Sequence, residues 1–192
     1  MRRLRHRFAI VLALLAGFVL VKAEAASPDE VPRLFGQRVE ANSRFPVPFA
    51  TGDFDGDGTA DALYLVTVLP QAPGRRIAAD VTVIGRLFGS EALGPHGESL
   101  ALAILQDHGK RKFLLTGYHG DAVTDYFGSP IWSETPIPLS IATRGSQPFE
   151  KFRQQGAKIK HDILVVGTEA GIDTALYWTG KTYALFQPAE EP

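Results

Sequence analysis

The sequence predicts a mainly β fold, made of antiparallel meanders or hairpins with at most short helices. Its apolar runs are short and rich in Val, Ile, Tyr and Phe, which favours strands over helices. The chain also has 19 Gly and 13 Pro among 192 residues, and these residue types mark turns and interrupt helices. We therefore expect one β-rich domain over residues 45–187, with a partial propeller-like or sandwich-like arrangement of its strands.

The N-terminal residues 1–25 have the pattern of a signal peptide. Four arginines within the first seven residues are followed by an apolar run of 14 residues, 8–21, and by Ala23-Glu24-Ala25. A basic start, an apolar run and an A-x-A pattern are the three parts of a secretory leader. The run is shorter than the roughly 20 residues of a membrane span, which makes a signal anchor the alternative. We expect cleavage after Ala25 and a periplasmic or secreted product.

Composition excludes several classes of protein. The chain has no cysteine, which excludes a lipoprotein anchor and a disulfide framework. Without the five basic residues and one acidic residue of the leader, the chain keeps 15 basic and 20 acidic residues, a formal charge of −5. This charge argues against a nucleic-acid partner, and nothing in the sequence indicates a membrane surface after cleavage.

The N-terminal half is predicted to contain four strands. Residues 26–44 look irregular, with one helical turn near residues 34–39. A buried strand is expected at residues 61–69, because this run is aromatic and β-branched and ends at Pro70. One further strand is expected at residues 81–88, and two apolar runs around a glycine-containing turn predict a hairpin over residues 100–116.

The C-terminal half predicts a helix, a strand and a second hairpin. Residues 117–160 are interrupted by several prolines, but a short helix is expected at residues 148–155, with Ser146 or Gln147 near its start. A strand is expected at residues 162–166. Two aromatic strands should then pair across a two-residue loop, Thr179-Gly180. The tail, residues 188–192, is predicted to be loose.

The clearest chemical signal is a loop over residues 53–61. Aspartates occupy its positions 1, 3, 5 and 9, and a threonine can offer its carbonyl oxygen at position 7. Oxygen donors so close together repel one another unless a hard cation lies between them. The sequence therefore predicts a Ca²⁺ site, and the alternative is a solvated acidic turn. The predicted ligands are Asp53, Asp55, Asp57, Thr59 and Asp61.

The loop differs from an EF-hand, because Tyr64 stands at position 12 where an EF-hand has glutamate, and a strand follows. The run FATGDFDGDGTAD at residues 49–61 resembles the FG-GAP or VCBS repeat of integrin-type β-propeller blades, and the match is confined to residues 49–69. The resemblance implies a structural calcium ion and a role in binding, adhesion or envelope assembly, with a protein or glycan as partner.

A weak internal similarity links two predicted strands. The runs at residues 61–67 and 162–168 both open with aspartate, continue with apolar residues and close with threonine, and they lie 101 residues apart. At that offset Lys158 stands in place of Asp57. The second run is either a degenerate repeat that has lost its carboxylates or a chance likeness between two apolar strands.

The sequence contains one other candidate for chemistry, the cluster of His119, Asp121 and Asp125. It could serve a periplasmic, hydrolase-like enzyme, but it matches no catalytic motif. The sequence therefore favours a non-enzymatic role, with no catalytic residue. Aromatic side chains of the last hairpin could form a glycan-binding surface or pack as the face of the hairpin. These side chains are Tyr177, Trp178, Tyr183 and Phe186.

Overall fold

The computed structural model describes residues 26–85, 99–116, 139–167 and 173–188. In these residues, two sheets pack face to face and the helices are short, which confirms the predicted mainly β class. No helix among them is long and apolar enough to cross a membrane.

Sheet 1 contains six strands in the order β1-β3-β5-β6-β4, with β2 paired to the same central strand β3. Its pairs are antiparallel except β4 with β6, which is parallel and departs from a simple meander. The predicted strand at residues 61–69 and the predicted hairpin at 100–116 are both present. The strands are β1 (Val39–Ala41), β2 (Ala50–Gly52), β3 (Asp61–Val68), β4 (Val81–Ile84), β5 (Ser99–Gln106) and β6 (Arg111–Thr116).

Sheet 2 contains four antiparallel strands in the order β10-β9-β8-β7. They are β7 (Leu139–Ala142), β8 (Ile163–Val166), β9 (Thr174–Trp178) and β10 (Tyr183–Phe186).

Two α-helices flank the sheets, α1 (Val31–Phe35) and α2 (Gln147–Gln154), and short 3-10 turns occupy Pro28–Glu30 and Asp107–Gly109. The predicted start of α2 is confirmed, since the Ser146 hydroxyl accepts a hydrogen bond from the Phe149 backbone N–H.

The main core lies between the two sheets. Alternate residues of each strand point to one face, and the inward faces of both sheets are apolar. The Phe113 ring lies 5.2 Å from that of Trp178 and 5.4 Å from that of Tyr183, so aromatic contacts join the sheets. The buried residues are Phe54, Leu63, Leu65, Leu102, Ile104, Phe113 and Leu115 on the side of sheet 1 and Leu164, Val166, Leu176, Trp178 and Tyr183 on the side of sheet 2.

The outer faces of both sheets are also covered. Val31 and Phe35 of α1 pack on the outer face of sheet 1, where Tyr64 of β3 belongs to the same buried cluster. Phe149 and Phe152 of α2 pack on the outer face of sheet 2. Because β3 is therefore buried on both faces, its sequence is almost continuously apolar, without the alternation of a half-exposed strand.

Two predictions are corrected by the structure. Residues 26–44 are not irregular throughout, because α1 and β1 form within them and pack on sheet 1, and the helix ends at Phe35, before residues 36–39. The apolar residues Val31 and Phe35 hold this segment against the sheet. The loop of the last hairpin spans residues 179–182, since Tyr183 pairs with Trp178 and the Thr179 N–H donates to the Thr182 carbonyl oxygen.

The two sheets contain the same run of antiparallel neighbours. In sheet 1 the run is β2-β3-β5-β6, and in sheet 2 it is β7-β8-β9-β10. The similar strands of the sequence are β3 and β8, and each is the second of its run. The connection between β7 and β8 contains α2, whereas the corresponding connection between β2 and β3 is the acidic loop. Lys158, which stands in place of Asp57 in the sequence comparison, is exposed. This common order is compatible with the repeat interpretation, which stays a prediction.

Candidate metal centre

The acidic loop is closed by strand pairing at its two ends. Gly52, the last residue of β2, pairs with Asp61, the first residue of β3. The residues between them turn around the Asp53 carboxylate, which accepts hydrogen bonds from the backbone N–H groups of Gly56 (2.8 Å) and Gly58 (3.2 Å). Aspartate commonly binds the backbone ahead of it in this way, because its side chain is short. The loop is thus ordered by its own sequence.

Three of the predicted ligands converge. One carboxylate oxygen each from Asp53, Asp55 and Asp61 lies within 4.8 Å of the other two. With calcium–oxygen distances of 2.3–2.6 Å, two ligands on opposite sides of Ca²⁺ are about 4.6–5.2 Å apart. The separation and the hard oxygen donors are therefore compatible with a hard cation such as Ca²⁺.

Asp61 is the most constrained of the three. It is 1% exposed, and its Oδ2 accepts a hydrogen bond from the Phe54 backbone N–H at 2.9 Å. Its Oδ1 is buried and has no hydrogen-bond partner. An unsatisfied buried acceptor costs about 1–3 kcal/mol, and a charged one costs more. A cation bound beside Asp61 would remove this cost.

The pKa of Asp61 is raised to about 7, chiefly because burial removes water from its carboxylate. The negative charges of Asp55, Asp57 and Asp53 raise it further, against the hydrogen bond from Phe54, which lowers it. The ion-free loop therefore holds more negative charge than its own groups can stabilise.

Asp55 already has one cationic partner. Its side chain is 3% exposed, and its Oδ2 forms an ion pair with Nη2 of Arg111 from β6. The Arg111 guanidinium also lies 5.5 Å from the centroid of the Trp178 ring, a distance suited to a cation–π contact. The sequence reasoning missed Arg111, because a single arginine at the start of a strand carries no motif. This residue offsets one negative charge of the loop and leaves the others.

Asp57 and Thr59 lie on the more open side of the loop. Asp57 is exposed, its Oδ1 accepts a hydrogen bond from the Thr59 N–H at 2.7 Å, and it is outside the group of three close carboxylates. Their roles as ligands remain predictions.

The loop also binds sheet 2. The Asp53 N–H donates to Asp162 Oδ2, and the Asp162 N–H donates to the Asp53 carbonyl oxygen, both at 3.1 Å. Asp162 Oδ1 accepts a third bond from the Arg144 N–H at 2.8 Å. The His161 ring lies directly against the Gly56 backbone, since a Cβ built on Gly56 would be 1.9 Å from His161 Nδ1. The loop is therefore a contact between the sheets.

The other candidates of the sequence do not add a site. His119, Asp121 and Asp125 lie outside the described residues. Trp178 and Tyr183 belong to the core between the sheets, and Tyr177 and Phe186 pack with α2, so the aromatic hairpin has the packing role.

Comparisons with protein-family models, with curated proteins and with solved structures find no match. The resemblance to FG-GAP repeats therefore stays a hypothesis based on residues 49–69.

Proposed function

We propose that the protein binds one Ca²⁺ ion through the loop at residues 53–61. The observation that supports this best is the orphaned Asp61 Oδ1, which is buried within a group of three carboxylates. A solvated acidic turn would let water satisfy that oxygen, whereas this one is out of reach of water. The donor set consists of hard oxygens alone, which suits Ca²⁺ better than a transition metal.

The ion would be structural. Its ligands are tied to the start of β3 through Asp61, to β6 through the Arg111–Asp55 pair and to sheet 2 through Asp53 and Asp162. Neutralising the carboxylates would remove the repulsion at this junction and so strengthen the contact between the two sheets.

The wider role that we propose is that of an exported binding module. The signal-peptide pattern of residues 1–25 supports export to the periplasm or the medium, and the resemblance to FG-GAP repeats supports adhesion or envelope assembly with a protein or glycan partner. A structural calcium site suits such a location, because modules outside the cytosol bind calcium with Kd values of about 10⁻⁴–10⁻³ M.

Calcium dependence of the melting temperature tests the proposal. Binding to the folded state stabilises it by RT ln(1 + [L]/Kd), about 2.7 kcal/mol at a hundredfold excess over Kd. Thermal melts in calcium and in chelator measure this stabilisation. Calcium should raise Tm in the wild type, and magnesium should replace it poorly because Mg²⁺ needs a tighter octahedron.

A matched pair of variants assigns the effect to the loop. Asp53→Asn removes a predicted ligand charge, while Asp80→Asn removes an exposed aspartate charge outside the loop. The calcium-induced rise in Tm should largely disappear in the first variant and persist in the second. Equal melting curves of the wild type in calcium and in chelator would refute the calcium site.

A further inference from the structure

A row of three polar side chains crosses sheet 1 beside the loop. Gln106 pairs with Arg111 between β5 and β6. The β3–β5 register pairs Ala62 with Leu105, so its next step places Gln106 opposite Asp61. Each of the three is two residues from a core residue that faces sheet 2, and side chains two apart in a strand share a face. All three therefore point into the space between the sheets.

Gln106 lies between two residues that both contact the acidic cluster. Asp61 on one side contributes an oxygen to the cluster, and Arg111 on the other side pairs with Asp55. Gln106 itself is 0% exposed. Its amide is thus enclosed at the inner wall of the candidate metal centre.

The orientation of that amide is set by Tyr183. Gln106 Nε2 donates to the Tyr183 hydroxyl at 2.6 Å, while Gln106 Oε1 has no partner. Among the described residues, Gln106 Oε1 and Asp61 Oδ1 are the two buried side-chain nitrogen or oxygen atoms without a partner. Both are acceptors when Asp61 is ionised, so in that state they cannot satisfy each other. A cation beside both would satisfy the two at once.

We propose that Gln106 Oε1 is a ligand of the cation held by the loop, supplied by β5. This inference rests on the proposed function. Amide oxygens are ordinary calcium ligands, and a neutral one adds coordination without adding to the negative charge of four aspartates. Tyr183 acts as a positioning residue, because its hydroxyl holds the amide nitrogen and leaves the oxygen for the ion.

Terbium luminescence tests the ligand directly. Tb³⁺ replaces Ca²⁺ as the probe, and its decay rates in H₂O and D₂O count the water molecules bound to the ion. In Gln106→Leu the count should rise by about one, because water takes the place of the lost oxygen, and calcium affinity should fall about tenfold or more. Tyr183→Phe removes the same hydrogen bond but keeps the oxygen, so its water count should equal that of the wild type.

The outcomes separate this inference from the proposed function. A wild type that binds neither Tb³⁺ nor Ca²⁺ refutes the calcium site itself. A wild type that binds, with the same water count in Gln106→Leu, refutes the role of Gln106 and leaves the loop site intact. If Gln106→Leu does not fold, the variant Gln106→Glu provides the test. It should keep the wild-type water count and bind Ca²⁺ more tightly than the wild type. Weaker or unchanged Ca²⁺ binding would contradict the inference.

Discussion

Asp61 combines two requirements that conflict without an ion. As the first residue of β3, it pairs with Gly52 and lies at the end of the inter-sheet core, where it is buried. As position 9 of the loop, it brings a carboxylate next to those of Asp53 and Asp55. A buried carboxylate with an unmade hydrogen bond is destabilised when charged, so this residue makes the fold sensitive to both pH and cations.

The pH dependence of stability follows from the raised pKa of Asp61. Its ordinary value is 3.8 and its value in the folded, ion-free protein is about 7. Between these pH values the folded state binds more protons than the unfolded state, so the free energy of unfolding falls as pH rises. We expect Asp61 to contribute a loss of about 3 kcal/mol from pH 4 to pH 7, measured by urea unfolding in calcium-free buffer.

The control for this prediction is Asp61→Asn, which is similar in shape and does not titrate. Its unfolding free energy should fall less over the same pH range than that of the wild type. Parallel pH profiles for the two proteins would show that Asp61 titrates normally in the folded state.

At the scale of the element, the loop uses two glycines that differ only in their surroundings. Gly56 and Gly58 have nearly equal positive φ values, +81° and +83°. Both conformations are unfavourable for other residues. A Cβ on Gly58 would meet nothing within 4 Å, whereas a Cβ on Gly56 would overlap the His161 ring. Gly58 is needed for the turn alone, whereas Gly56 is also needed for the contact between the loop and His161.

This difference predicts unequal effects of alanine. Gly58→Ala should lose about 1–2 kcal/mol of stability, the cost of the left-handed conformation. Gly56→Ala should lose more, because His161 must also leave its place against the loop. Chemical denaturation of the two variants in calcium measures the comparison. Equal losses would mean that the His161 contact contributes nothing to stability.

At the scale of the whole molecule, the chain begins its described fold at a buried residue. Ala26 is 8% exposed, and its backbone nitrogen donates to the Tyr64 hydroxyl at 3.0 Å. Tyr64 belongs to β3, so this contact fastens the start of the domain to the central strand of sheet 1. Cleavage after Ala25 would turn the Ala26 nitrogen into an amine that can still donate to Tyr64.

We predict that the chain is exported and that the mature protein begins at Ala26. Intact-mass measurement of the envelope and medium fractions should give the mass of residues 26–192, which is the chain without its predicted leader. A full-length chain found only in the membrane fraction would support the signal anchor instead.

The sequence by itself determined the features that depend on local spacing. Short β-branched runs predicted β3 and the β5–β6 hairpin, and Ser146 predicted the start of α2. The carboxylates of the loop are within nine residues, so their clustering followed from covalent connectivity alone. The strands β1, β2 and β7 were missed, because three or four residues contain too little periodicity to be recognised.

Only the tertiary structure decided what surrounds the loop. Arg111 reaches it because strand register places Arg111 in one row with Gln106 and Asp61, and His161 and Asp162 reach it because sheet 2 packs across that row. These residues are 45 to 109 positions from their partners in the loop or row. No local pattern encodes such contacts, because they depend on how the two sheets pair and pack around their common apolar core.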